Sequence, residues 1–215
     1  MDKIIFEKSF SDNLNKNFPS QSKYFDFQFN VFQELGPPIF EINKCLILEF
    51  YRASITLKNN VLERLLKLAL IYHDAGIGPQ PTENWNSIFE GPNKKYGSIV
   101  LNTSIDYCKK LGLISTEEKD VLDNIIRELF RNGFSHADSS KILADIPESI
   151  MFEASISNPT EIRPVKVDFK KIPFLQAVQM DEFAKYNALK YFVFVFELIH
   201  KIENRLIEKQ NKTSS

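Results

Sequence analysis

The stretch NNVLERLLKLALIYHDAG, Asn59 to Gly76, decides how the chain folds. Val61, Leu65, Leu68 and Ile71 recur every three or four residues, which sets them along one side of an α-helix. Glu63 and Lys67 stand four apart and can pair on the helix surface. Gly76 supplies a C-terminal stop. Upstream, in IFEINKCLILEFYRASITL, Ile39, Ile42, Leu46 and Phe50 keep the same spacing, and Ala53 and Leu57 continue it. Residues 39–76 therefore read as one long helix, or as two with a break near Lys58 to Asn60.

The pattern continues outward in both directions. SIVLNTSIDYCKKLGL is amphipathic and closes at Gly112. ISTEEKDVLDNIIRELFRN has its own start: Ser115 or Thr116 can cap, and Glu117 and Glu118 complement the positive helix N-terminus. Its apolar face is expected to be Val121, Leu122, Ile125, Ile126 and Leu129. Phe174 to Glu208 reads as a long aromatic-rich helix. Between these, Ile77 to Gly97 reads as a Pro/Gly/Asn-rich loop holding Trp85, and Asp145 to Pro173 as irregular chain with prolines. Tyr24 to Phe32 alternates Phe25, Phe27, Phe29 and Val31, which suits a half-buried strand. The expectation is an all-α fold, an antiparallel bundle of four to five helices with irregular N-terminal and pre-C-terminal extensions. Its divisions are an N-terminal extension over 1–38, the bundle over 39–208, and a disordered tail over 209–215.

Composition narrows the function. With 215 residues, 43% hydrophobic and 26% charged, the chain can bury one core. A formal net charge of -1 supplies no global field toward nucleic acid or anionic membrane, so a nucleic-acid role needs a local basic site. Cys45 and Cys108 lack metal-ligand spacing and read as free thiols in a reducing, cytoplasmic setting. MDKIIFEKSF has no signal-peptide core, and Tyr191 to Ile199 is too short to span a bilayer. No G-x-S-x-G, P-loop or G-x-G-x-x-G occurs, and the histidines are scattered, so neither cofactor nor metal is expected. His73 beside Asp74 reads as a helix-end or surface residue, His200 as a packing histidine, and Lys94 and Lys95 beside Tyr96 as a solvated loop.

The candidate site is RELFRNGFSHAD, Arg127 to Asp138. On an α-helix Asn132 and His136 share a face, while Arg131 and His136 lie about 140° apart and flank one edge. Such an edge holds one phosphate: Arg131 as bidentate donor, Asn132 as orienter, His136 as proton carrier. Metal-free RNA cleavage needs a base for the ribose 2′-hydroxyl, an acid for the leaving 5′-oxygen and a cation for the phosphorane. One histidine does not reach both sides of a phosphate, whereas a symmetric dimer supplies two. On residue physics alone the capping reading is simpler, because Arg, Asn, Gly and His all suit a helix C-terminus.

Arg131, Asn132 and His136 in RNGFSH resemble the R-[polar]-x-x-x-H signature of the HEPN superfamily. CLILEFYRASITLKNNVLERLLKLAL, Cys45 to Leu70, resembles the paired-helix segment of that group, with its LE-x-x-LK element. KKLGLISTEEKDVLDNIIRELFRNGFSHAD resembles the capped helix that carries the motif. The resemblance spans roughly Ile39 to Ala144 and the closing helix, and leaves the two extensions unassigned. It implies a helical bundle that pairs as a homodimer with the motifs facing across a cleft. It also implies a metal-independent endoribonuclease leaving a cyclic phosphate, with Arg131 and His136 catalytic and Asn132 the polar motif residue. The expected partners are RNA, a second copy, and an antitoxin or defence-complex protein. The alternative is a non-catalytic HEPN-like binding or regulatory subunit. HEPN toxins silenced by a nucleotidyltransferase often carry tyrosine two residues after the histidine; Asp138 stands there, so that form of control is not implied.

Overall fold

The computed structural model describes residues 2–135, 142, 149–155 and 158–213. Its helices are α1 (Lys3–Gln21), α2 (Gly36–Ile47), α3 (Tyr51–Ala75), α4 (Trp85–Tyr96), α5 (Leu101–Lys110) and α6 (Thr116–Val121). The last of these continues directly as a π-helix, Leu122–Ser135. Strands β1 (Ser149–Ser155) and β2 (Asn158–Val167) follow, and α7 (Pro173–Thr213) closes the chain. The all-α reading holds for the body, to which β1 and β2 add one antiparallel ribbon.

α3 is the axis. It packs most extensively on α7 and also meets α2, α4, α5 and the π-helix. That demand explains its composition: Ile55, Leu62, Leu65, Leu66, Ala69 and Leu70 are all buried, so the helix is apolar around most of its circumference. α7 answers with Ala184, Ala188, Phe192, Val195, Ile199 and Ile202. Each fully buried aliphatic or aromatic side chain contributes about 1.5–3 kcal/mol of transfer free energy. The small alanines let α3 come close enough for the Lys58 ammonium to donate to the Ala188 carbonyl.

Several expectations need correction. The break in the first helical run lies at Leu48–Phe50, not at Lys58 to Asn60. Glu49 there adopts φ 63°, a left-handed turn that no α-helix continues through. Helix α1 holds the corner: Asn17 donates to the Ile47 carbonyl at 2.9 Å and to Glu49 at 3.1 Å, and Lys16 meets Glu49 at 2.7 Å. The residues 24–32 form no strand, and among the described residues no partner strand lies beside them. Instead the N–H groups of Val31 and Phe32 donate to the buried Glu203 carboxylate at 2.7 and 2.9 Å. Residues 77–97 are not all loop either. α4 forms through Gly91 and Pro92, anchored by Phe89 and Tyr96 against Tyr72 and Tyr107. The irregular reading of 145–173 gives way to the β1–β2 ribbon, in which Pro164 pairs opposite Phe152. α7 runs on past Glu208 to Thr213, where a disordered tail was expected, and Gln210 accepts from the Ile77 N–H at 3.1 Å.

The start of α6 matches its sequence. Ser115 caps it in a full capping box with Glu118. Glu118 is also gripped by Arg205 of α7 through two bonds of 2.6 and 3.0 Å. Burial pushes the Glu118 carboxyl up, but Arg205 and the Ser115 N–H outweigh it and hold the group below the ordinary carboxylate range. Both cysteines are free, and Cys108 is buried with its thiol toward the Leu66 carbonyl.

Lys58 is the outlier of the core, fully buried and facing the Tyr191 ring at 5.3 Å. Desolvation pulls its amine well below the ordinary 10.5. The unfolded chain therefore holds this proton over an interval where the folded chain does not, and stability rises with pH across it. Replacing Lys58 with Met keeps the stem and removes the buried charge. Lys58→Met is expected to stabilise the fold by about 1–3 kcal/mol at low pH, with the gain shrinking as pH approaches 10.5. Urea melts across pH read this directly, and a variant less stable than wild type at every pH would contradict it.

Candidate functional site

The site is built where α3 meets the π-helix. In the π-helix the backbone bonds run i→i+5, so residues on one face stand four and five apart rather than three and four. The apolar face read at the α period accordingly slips. Leu122, Ile126, Phe130 and Phe134 are buried, while Ile125 is 43% exposed. Phe130 packs with tilted rings at 4.5 Å on Tyr191 and 5.2 Å on Phe183, and Phe134 meets Phe183 at 6.1 Å.

This winding also changes the motif. The 140° separation expected of Arg131 and His136 assumed α turns, whereas Arg131 to Ser135 continue the π register. Gly133 is not a C-terminal cap: it is buried within the π-helix, and a Cβ there would come within 3.0 Å of Ile142 Cγ1. Glycine is used here for close packing. Asn132 is half-buried beside it. His136 lies outside the described residues, as does Asp138.

Three α3 residues, each four from the next, run along the motif: Asn59, Glu63 and Lys67. Asn59 Nδ2 donates to the Phe130 carbonyl at 2.9 Å, and Asn59 Oδ1 accepts from the Tyr191 hydroxyl at 2.7 Å. One amide thus ties α3 to both the π-helix and α7. Burial pushes the Tyr191 hydroxyl well above its ordinary value, so it stays a donor. One turn on, Glu63 Oε2 faces Arg131 Nη2 at 3.4 Å, and Glu63 Oε1 faces Lys67 Nζ at 3.1 Å. Arg131 remains 31% exposed, so its planar fork of donors is steered by Glu63 while open to solvent. A half-exposed guanidinium held in orientation can clamp a phosphate oxygen or stabilise charge developing on it.

The Glu63–Arg131 contact was not read from spacing, because it crosses between helices. Its signal was LE-x-x-LK, which supplies Glu63 and Lys67. Asn59 and Lys58 left a fainter trace, a polar interruption inside an apolar run. The remaining candidates fall elsewhere. His73 meets Asp74 at 3.1 Å at the end of α3, where Lys95 and Tyr96 also converge on Asp74, each at 2.9 Å. Lys94 and Lys95 belong to α4 rather than a loop. His200 packs on the rings of Phe29 and Phe196 at 5.1 and 5.0 Å. Among the described residues no three His, Cys, Asp or Glu side chains are grouped to hold a metal, and no helix is long and apolar enough to cross a membrane.

If the Asn59 amide couples the three helices, Asn59→Ala lowers stability by about 1–3 kcal/mol, because the Tyr191 hydroxyl loses its acceptor. In a Tyr191→Phe background the same change is expected to cost less. Equal losses in both backgrounds, measured by chemical denaturation, would show that the coupling is absent. In comparisons with known protein families, curated proteins and solved structures, the chain finds no match.

Proposed function

We propose that the chain is a metal-independent endoribonuclease of HEPN type that acts on tRNA or other RNA, as a toxin or antiviral defence effector in the cytoplasm. One observation carries this reading: Glu63 of LE-x-x-LK meets Arg131 of R-N-x-x-x-H at 3.4 Å, so the two parts of the resemblance form one cluster. Arg131 would take the phosphorane charge, Asn132 would orient the phosphate, and His136 would move the proton between the 2′-hydroxyl and the leaving 5′-oxygen. Two copies in a homodimer would supply the base and the acid from opposite sides.

A second reading, a non-catalytic HEPN-like subunit of a toxin–antitoxin or defence complex, rests on α1. Ile4, Ile5 and Phe6 there are 71, 62 and 50% exposed, an apolar patch of the kind that a protein partner covers.

Incubating structured and unstructured RNA with the protein in EDTA separates the readings. Wild type is expected to cut, Arg131→Ala to lose about 10²–10³-fold in rate, and His136→Ala about 10²–10⁴-fold. Intact RNA with wild type, or equal cutting by both variants, would remove the catalytic assignment.

A further inference from the structure

A groove of about 370 Å³ opens between α3 and the C-terminal half of α4, on the other side of Glu63 from Arg131. Its floor is apolar, made by the buried Leu68 and Ile71. Its walls carry Asn60, Arg64 and Asn93, all exposed, and the half-buried Lys67. Gly97 completes the lining beside Asn93.

The groove gathers charges of both signs in unequal number. Several cations elsewhere are matched: Lys95 by Asp74, Lys119 by Asp106 and Asp123, Lys16 by Glu49, and Arg205 by Glu118. Here Lys67 and Arg131 share one carboxylate, Glu63, and Arg64 meets no carboxylate among the described residues. Three cations therefore stand around one anion, in a chain whose net charge is -1. A site of local positive surplus is what phosphate recognition requires when the whole molecule supplies none.

The shape adds a second constraint. An opening of this volume is at the lower end of small-ligand pockets and takes one nucleotide. An apolar floor suits the face of a splayed base, and the Asn60 and Asn93 amides can both donate and accept at its edges. A duplex buries its base faces in the stack and presents none of them to such a floor.

We infer that the α3–α4 groove is a nucleotide subsite for single-stranded RNA, with Arg64 and Lys67 on a backbone phosphate and the neighbouring phosphate delivered to Arg131. The inference rests on the ribonuclease reading for its ligand class. Glu63 links the two places, one oxygen on each side. The groove residues position substrate; the chemistry stays with the motif.

The test uses the full chain and a fluorescent single-stranded RNA with 2′-O-methyl riboses, which binds but offers no nucleophilic hydroxyl. Anisotropy titrations over a salt series compare wild type, Arg64→Glu and, as a distant exposed cation, Lys190→Glu. Arg64→Glu is expected to weaken binding about tenfold or more and to lower the salt slope by about one or more, with a smaller effect on the matching duplex. Lys190→Glu is expected to leave both close to wild type. With cleavable RNA, Arg64→Ala is expected to raise KM and spare kcat. If Arg64→Glu keeps the wild-type affinity and slope, or wild type does not bind, the groove is overturned. Arg64-dependent binding without any cleavage would uphold the groove and remove the catalytic reading instead.

Discussion

α3 has to be buried on nearly every side and still carry Lys58, Asn59 and Glu63 inside or beside the seams it makes. The rest of the structure follows from how those groups are satisfied. Lys58 has a backbone carbonyl of α7 and an aromatic ring, but no carboxylate among the described residues. Asn59 links a π-helix carbonyl to a buried tyrosine. Glu63 stands at the margin where the seam opens to solvent, and there its two oxygens hold two cations apart. Polar groups set into the buried seams of α3 fix register: sliding α7 or the π-helix along α3 would strand an amine, an amide and a hydroxyl together. Apolar packing alone tolerates such shifts far better.

The same line of polar groups passes from buried to open as it leaves the core. Lys58 is fully buried, Asn59 half-buried, Glu63 about a third exposed, and Arg64 open. Interactions at the buried end are strong because the surroundings are poorly polarisable; those at the open end are weakened by water and salt. A 3.4 Å contact between Glu63 and Arg131 orients the guanidinium without committing all its donors.

Much of this was legible in the sequence where the helical period was clean. The spacing of Val61, Leu65, Leu68 and Ile71 gave α3, Ser115 and Glu118 gave the α6 cap, and the aromatic run gave α7. The period failed where backbone constraints or tertiary contacts overrode it. The Glu49 turn was hidden because the apolar spacing runs straight through it, and it is held by α1 residues far away in sequence. Gly91 and Pro92 argued for a loop, yet packing of Phe89 and Tyr96 on α3 and α5 keeps α4 helical. Tyr24 to Phe32 alternates like a strand, but its backbone donors go to Glu203, a partner no local pattern reveals. The π register of Leu122–Ser135 moved Ile125 outward and brought Phe130 and Phe134 in, a phase change invisible to a 3.6-residue template. Arg131 and Asn132 stand out in the sequence as part of a polar helix end, to which resemblance adds an expected catalytic role, and the Glu63 partner of Arg131 becomes visible only when two helices come together.

The proposed chemistry would bring Arg131, Asn132 and His136 to one phosphate, with the ribose 2′-hydroxyl as nucleophile. The most direct measurement is the chemistry at the cut. Cleavage in EDTA of an RNA carrying one 2′-deoxy nucleotide at the preferred position should fail at that position, and the unmodified RNA should yield a 5′ fragment ending in a 2′,3′-cyclic phosphate. Cutting at the deoxy nucleotide, or a 3′-hydroxyl end that forms only with divalent metal, would contradict it.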